Sequence, residues 1–408
     1  MVVVSTVDEG TGNSFFLSSR AKEIQNVAYQ LYEAELKGFE DGDILELQIG
    51  GELNWEPVRD DIEELLLFLV GSRAKLSFAQ SAAPQTYVKR FELARPVPTV
   101  SLFSGGLDSS AFAVYLGQAE PHSILSHTET SYPIYGKARK FYSNFVGGGV
   151  GLVVSRVKSE ISQWGMINTR GIVFLSNALV IALELGARRV VVPENGPMML
   201  NIPVSSQVYS SKTANLDMIR EWTKIVNDVL GVRIVVETPY GESTKAEIVR
   251  KLGDPKAVAQ TYSCFGSQGQ SRMCGLCLAC FVRIASCYAA GLPEDIDSTY
   301  AHNPYSETLS SLGPVNQDKM VTLMDALDFW TPIAEPSLEE VSTRRRRAEG
   351  IAKRWPVMKR HALDILLGAR EYVNTMGSCD GEVGRVVLEL LGELGSAPLE
   401  ARKEELNH

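Results

Sequence analysis

The stretch that most limits the possible folds of this chain runs from Thr99 to Ser110. An apolar strand pattern, Val100, Leu102 and Phe103, breaks into Ser104-Gly105-Gly106, and Leu107-Asp108-Ser109-Ser110 then opens a helical pattern. Two adjacent glycines accept backbone angles that other residues resist and let amides approach a ligand closely. The helix start adds unpaired N–H groups and the positive end of its dipole, so the junction suits an anion. The hydroxyls of Ser104, Ser109 and Ser110 can donate to the same anion. Asp108 cannot assist a bare phosphate, so its expected role is to face Mg²⁺ or to cap the helix. No lysine follows the glycines, which excludes the Walker loop of γ-phosphate transfer.

From Pro98 to about Leu292, apolar strands alternate with helical patterns. Strands are expected at Thr99 to Phe103, Ser123 to Ser126, Gly151 to Val157, Arg189 to Val192 and Arg233 to Val236. Helices are expected at Asp108 to Leu116, Pro133 to Phe145, Ile172 to Leu185, the stripe from Met218 to Val229, and Thr244 to Leu252. Such repetition predicts an α/β fold, a doubly wound, mostly parallel sheet covered on both faces. The 408 residues exceed one ordinary domain of ~100–200 residues. Residues 1–97 read as an α+β N-terminal extension ending at Arg95-Pro96-Val97-Pro98, with helices at Ala21 to Lys37 and Asp60 to Val70. Strands are expected there at Asp43 to Ile49, Lys75 to Phe78 and Tyr87 to Leu93. Residues 293–408 read as a helical C-terminal region, with helices at Val321 to Trp330, Leu338 to Trp355, Val357 to Tyr372 and Glu382 to Leu394.

Charge and hydropathy narrow the partners. A net charge of −9 argues against broad electrostatic binding to nucleic acid. The Arg344-Arg345-Arg346-Arg347 run, followed by Lys353, Arg354, Lys359 and Arg360, reads as a solvated helix face or a patch for an acidic partner. No signal-like segment opens the sequence, and Leu65 to Val70 is too short to span a bilayer. A cytoplasmic protein without a membrane anchor is expected.

Four of the six cysteines fall between Cys264 and Cys280, in the pattern Cys264-x9-Cys274-x2-Cys277-x2-Cys280. Three thiolates at three-residue intervals, with Gly275 easing a tight turn, can surround one ion, and Cys264 completes a tetrahedron. Zn²⁺ is the expected ion, with iron–sulfur ligation the competing use of such spacing. A closed four-cysteine site is structural and staples the loop that carries it. Cys287 and Cys379 read as ordinary buried cysteines.

The string Ser104 to Ser110 resembles the SGGxDS signature of the PP-loop ATP pyrophosphatases, which split ATP between its α- and β-phosphates. Together with the cysteine pattern it resembles the QueC family, the 7-cyano-7-deazaguanine synthases. Thr169-Arg170 with Phe174-Leu175-Ser176, Thr238-Pro239 with Thr244 to Val249, and Tyr262-Ser263-Cys264 through Arg283 extend the likeness. The resemblance implies an ATP-dependent, C–N bond-forming ligase that uses ATP, Mg²⁺ and Zn²⁺ and adenylates a 7-deazaguanine carboxylate. Pyrophosphate would lie on Ser104, Gly105, Gly106, Leu107, Asp108, Ser109 and Ser110. Asp108, Lys245 and Arg170 would be the catalytic residues.

The chain departs from that family where Leu107 replaces glutamine and Gly171 replaces asparagine. It departs again at Pro193-Glu194-Asn195-Gly196-Pro197-Met198-Met199-Leu200-Asn201-Ile202-Pro203, just past an expected strand end. Glu194, Asn195 and Asn201 are candidates to touch a guanine-like edge, with helix capping and turn formation as their other reading. The whole layout is similar to the QueC-like proteins of bacterial anti-phage systems, QatC of Qat and the QueC-like member of type IV CBASS. That resemblance implies amide formation on an amine of an operon-encoded partner protein. An ordinary synthase using ammonia and a tRNA-modifying PP-loop enzyme are the alternatives.

Overall fold

The computed structural model describes residues 2–8, 14–15, 17–80, 96–129, 132–147, 149–158, 167–202, 212–264, 272–334, 351–376, 380–394 and 396–407. Nine strands are described: β1 Val2–Asp8, β2 Ser14–Phe15, β3 Ile44–Ile49, β4 Lys75–Gln80, β5 Val100–Leu102, β6 Ile124–Glu129, β7 Gly151–Lys158, β8 Arg189–Val191 and β9 Val235–Glu237. Seven form one sheet in the order β2-β1-β7-β6-β5-β8-β9. Strands β7, β6, β5, β8 and β9 pair in parallel. The expected parallel sheet with helices is therefore present.

Its order has a consequence for function. The chain leaves β5 toward β6 and then β7 on one side, and returns to β8 and β9 on the other. The reversal falls between β5 and β8, and open α/β sheets bind ligands outside the strand ends at such a switch. The glycine loop follows β5 and the Glu194-Asn195 pair follows β8. The topology alone brings these two segments to one crevice.

Helices fill both faces. The first apolar cluster collects Ile172, Leu179, Trp222 and Ile225 with Ile24, Leu31, Trp55 and Leu66. The second face holds Phe103, Phe112, Leu116, Phe141 and Val249. The stripe expected after residue 217 is observed: helix Leu216–Leu230 buries Met218, Ile219, Trp222, Ile225 and Val226. Asn215 starts it, its side chain accepting from Asp217 N (2.9 Å) and Met218 N (3.3 Å), as an N-cap should.

The N-terminal segment joins the main sheet. The short valine run, to which the sequence pattern assigned no element, is β1, antiparallel to β7 from Val2↔Lys158 to Asp8↔Leu152. A period-2 alternation is absent there, so only the partner strand reveals it. Strands β3 and β4 form a separate parallel pair, bridged by helix Arg59–Val70.

The third apolar cluster joins the cysteine segment to the C-terminal helices, with Phe281, Ile284, Leu327, Trp330, Leu366 and Tyr372 at its heart. Helix Leu278–Ala289 lies against helix Pro356–Met376 so closely that a Cβ on Gly368 would stand 1.8 Å from Ala285 O. The expected helix Val321 to Trp330 is longer, Pro314–Ala334. A helix missed by the pattern, Ala397–Asn407, buries only Leu399, Arg402 and Leu406, too thin a stripe to read without its partner. The expected strand Tyr87 to Leu93, most of the helix Leu338 to Trp355, the Arg344 to Arg347 run and Cys379 lie outside the described residues. Among the described residues, no helix is long and apolar enough to cross a membrane.

Candidate active site and metal centre

The glycine loop is shaped by its own hydroxyls. Ser109 Oγ accepts from Ser104 N (3.2 Å) and Ser104 Oγ accepts from Gly106 N (3.1 Å), with the two hydroxyls 3.0 Å apart. Gly105 has φ +78°, and a Cβ there would stand 2.7 Å from Ala138 Cβ. Both the backbone angle and the contact require glycine. Gly105 O accepts from Tyr262 N (3.0 Å), tying the loop to the start of the cysteine segment. Leu107 is buried and offers only its backbone, and the Ser110 hydroxyl is buried without a partner.

Asp108, in the first turn of helix Leu107–Ala119, is the hub. Lys245 Nζ donates to its Oδ1 (2.7 Å) and Asn195 Nδ2 to its Oδ2 (2.6 Å). Asn195 Nδ2 also donates to Glu194 Oε1 (2.8 Å). Burial opposes charge on Asp108, but the Lys245 ammonium and hydrogen bonds from Glu194, Lys245 and Asn195 outweigh it and hold its pKa below the usual range. Burial and the Asp108 charge push Glu194 well above its usual range. The two carboxyls are thus pushed in opposite directions, Asp108 toward the ionised form and Glu194 toward the protonated one.

Local sequence explains how these groups are held. Asn195 caps the five-residue helix Gly196–Leu200, accepting from Met198 N (3.1 Å). Thus the capping reading of Asn195 is met through its Oδ1, while its Nδ2 turns to Asp108 and Glu194. Asn201 ends that helix in the left-handed conformation, φ 50°, so its reading as a turn residue is met. Thr244 and Glu247 form a reciprocal capping box at the start of helix Lys245–Leu252, which aims Lys245 from a fixed backbone.

Arg170 has its described contacts with other residues. Glu35 accepts from Thr169 N (2.8 Å) and Asn168 N (3.0 Å) beside it. Its guanidinium donates to Thr213 Oγ1 (3.2 Å) and lies over Phe174. Asp108, Lys245, Glu194 and Asn195 are thus assembled, whereas neither Arg170 nor Asn201 is tied to them by a described contact.

The comparisons with known proteins can be set beside this geometry. A family model described as queuosine biosynthesis protein QueC matches residues 150–291. This central stretch is QueC-like. A 7-cyano-7-deazaguanine synthase of Myxococcus xanthus is 32% identical over 127 residues, 29% of this chain and 53% of that protein. One from Acinetobacter baylyi is 33% identical over 31% of this chain and 55% of its own length. The chain spans about half the length of these two relatives. A synthase of Aromatoleum aromaticum is 27% identical over 50% of this chain and 98% of that protein. The QueC-like stretch contains Glu194, Asn195, Lys245 and all four clustered cysteines, while the glycine loop precedes it.

Cys264, Cys274, Cys277 and Cys280 place their sulfurs within 4.8 Å of one another. Individual separations are 4.0 Å (264–277), 3.9 Å (274–280) and 3.4 Å (277–280). A Zn–S bond of about 2.3 Å sets tetrahedral sulfurs about 3.8 Å apart, so the group fits zinc. Backbone amides support it as they support bound thiolates: Cys274 N donates to Cys264 Sγ and Cys277 N to Cys274 Sγ, both at 3.3 Å. Gly275 makes the knuckle possible, with φ +82° and a would-be Cβ 1.9 Å from His302 O.

Pattern reading missed the groups behind Lys245. Arg402, from the last described helix, donates to Asp364 Oδ1 (2.7 Å) and Glu247 Oε1 (2.7 Å). Thr244 Oγ1 donates to Asp364. Arg360 Nε adds a bond to Glu247 Oε1 (2.9 Å). The helical period of residues 357–372 was legible, but nothing in it reveals which face meets the site.

His361, on the same helix, is buried, and burial with the nearby Lys245 charge lowers its pKa to about 3, against a smaller opposing pull from Asp108. The unfolded chain takes up a proton there below the usual value, so stability is full at neutral pH and falls as pH drops from about 6.5 toward 3. Between about pH 7 and pH 5 this group alone should cost about 2 kcal/mol. Urea unfolding of the wild type and of His361→Gln at both pH values checks it. The glutamine variant should lose that much less on acidification, and equal losses would refute the assignment.

Proposed function

We propose that this chain is a QueC-like, ATP-dependent ligase. It adenylates a 7-deazaguanine-type carboxylate, releases pyrophosphate and passes the acyl group to an amine. The observation that carries the reading is the Asp108–Lys245–Asn195–Glu194 cluster beside the glycine loop, at the β5/β8 switch point and with its β8 side inside the QueC-like stretch.

The chemistry follows from the residues. A carboxylate is a poor electrophile because oxide would have to leave. Its oxygen attacks the α-phosphorus of ATP, and the bond to the pyrophosphate oxygen breaks. The loop amides at Gly105 and Leu107, with the Ser104 and Ser109 hydroxyls, would hold the departing pyrophosphate. Lys245 places its ammonium where phosphoryl charge accumulates, the role in which preorganised charge contributes most. Mg²⁺, when bound, would offset phosphate charge, with Asp108 as the ionised carboxylate facing it. The amine nitrogen then bonds to the acyl carbon as the bond to AMP breaks, and the amine loses one proton. Zinc, when held by the four cysteines, would have no part in these steps and would fix the segment that holds Gly105 through Tyr262.

The acceptor we infer is an amine of a partner protein in an anti-phage operon. Support comes from the segment Pro193 to Pro203, which departs from the usual family pattern, and from helix Pro356–Met376, whose Val357 meets Gly196 within it. The ammonia-using synthase is the second reading, favoured by the likeness to 7-cyano-7-deazaguanine synthases. Incubation with ATP, Mg²⁺ and 7-carboxy-7-deazaguanine should form AMP and pyrophosphate. Adding the product of a neighbouring gene should then shift that protein's intact mass by the acyl group. Nitrile formation from ammonium without a protein adduct selects the second reading. Absence of AMP with either acceptor removes the ligase reading altogether.

A further inference from the structure

The helix Pro356–Met376 lies outside the QueC-like stretch, yet one of its faces closes over the site. Val357, His361 and Asp364 share that face, at spacings of four and three residues. Val357 Cγ2 abuts Gly196, within 3.1 Å of where a Cβ there would stand, and Gly196 follows Asn195. Asp364 accepts from Thr244, which precedes Lys245. Asn195 and Lys245 both bond Asp108. His361 is therefore bracketed between the two segments that converge on Asp108.

Its side chain is 5% exposed, and its Nδ1 is buried without any hydrogen-bond partner. Buried imidazole nitrogens are ordinarily satisfied, so an orphan at this place calls for an explanation. Trp330 meets the ring edge-on at 5.5 Å and accounts for its packing but not for its nitrogen.

We propose that His361 is a further ligand-contacting residue, its unpartnered ring nitrogen donating a hydrogen bond to a phosphoryl oxygen of the bound nucleotide beside Lys245. A neutral imidazole has one N–H to give, so it adds direction to the phosphoryl group without adding a second cation. The C-terminal helices thereby supply a piece of the reaction centre as well as the Asp364–Arg402 brace behind Lys245. The inference rests on the ATP reading above.

Two measurements on the full chain test it. His361→Phe keeps a ring against Trp330 and removes the nitrogens, while His361→Gln retains an amide donor. Phenylalanine should lower the rate of AMP formation about 100-fold, chiefly in kcat, and glutamine should restore a substantial part of it. The ¹⁵N resonances of the His361 ring, assigned by their loss in His361→Gln, should move when ATP is added to the wild-type chain. Wild-type turnover in His361→Phe, or ring resonances that stay put while ATP is turned over, overturns the proposal. A wild-type chain that makes no AMP removes the ATP reading itself. Should the phenylalanine variant fail to fold, the resonance shift on the unmutated chain still decides.

Discussion

Lys245→Met should lower AMP formation by about 100- to 1000-fold while leaving a folded protein. Turnover falls because the ammonium 2.7 Å from Asp108 Oδ1 stands at the helix that follows the glycine loop, where the proposed reaction builds phosphoryl charge. Breaking a buried ion pair ordinarily costs about 3–5 kcal/mol, because the surviving charge is left without a partner. Here the surviving group is a carboxylate that still accepts from Asn195 Nδ2 (2.6 Å). That bond, and the rise in its pKa once the ammonium is gone, limit the loss. Asp108→Asn removes the charge that pushes Glu194 up, which lets Glu194 ionise toward Lys245, so this variant too should stay folded. AMP release with a saturating carboxylate, beside thermal unfolding of both variants, is the measurement. Lys245→Met at the wild-type rate would remove the electrostatic role.

Removing the ion from the four-cysteine group should have the largest effect on stability. The purified chain is expected to carry about one zinc, read by elemental analysis, with no iron–sulfur colour. Structural zinc contributes on the order of 10 kcal/mol, and about 2 °C in thermal midpoint accompanies each kcal/mol in a chain of this size. Chelation, or Cys280→Ser, should therefore lower the midpoint by about 20 °C. Cys280 stands in the first turn of helix Leu278–Ala289, which packs on Pro356–Met376, and Tyr262 holds Gly105 from the other side of the knuckle. Loss of the ion should thus loosen both the glycine loop and the C-terminal cluster. A metal-free chain that melts at the same temperature would contradict this.

Parts of this picture were legible in one dimension, and the reason is locality. The glycine loop, the cysteine spacing and the capping box at Thr244 each lie within a few residues, so sequence adjacency is spatial adjacency. The helix stripe from Met218 to Val226 was readable because one buried face imposes a period near 3.6. By contrast, the valine run at β1 has no alternation, and its strand character comes from pairing with β7. Arg170 carried the family likeness but lies on Thr213 and Phe174. Asn195 was placed near a ligand, yet its described bonds go to Asp108 and Glu194.

The sequence by itself determined the chemistry available: an anion-binding strand–helix junction, a four-thiol metal group and a lysine at a capped helix start. Tertiary structure decided which of those groups meet. Asp108, Glu194 and Lys245 are separated by 86 and 51 positions, and only the reversal of strand order between β5 and β8 brings the first two into one crevice. Burial there disfavours charge on both carboxyls, and the Lys245 ammonium with its neighbouring hydrogen bonds pulls Asp108 back down while the Asp108 charge pushes Glu194 further up. The brace of Asp364 and Arg402 and the orphan nitrogen of His361 belong to the same class, since each depends on a helix that follows the QueC-like stretch and folds back over it.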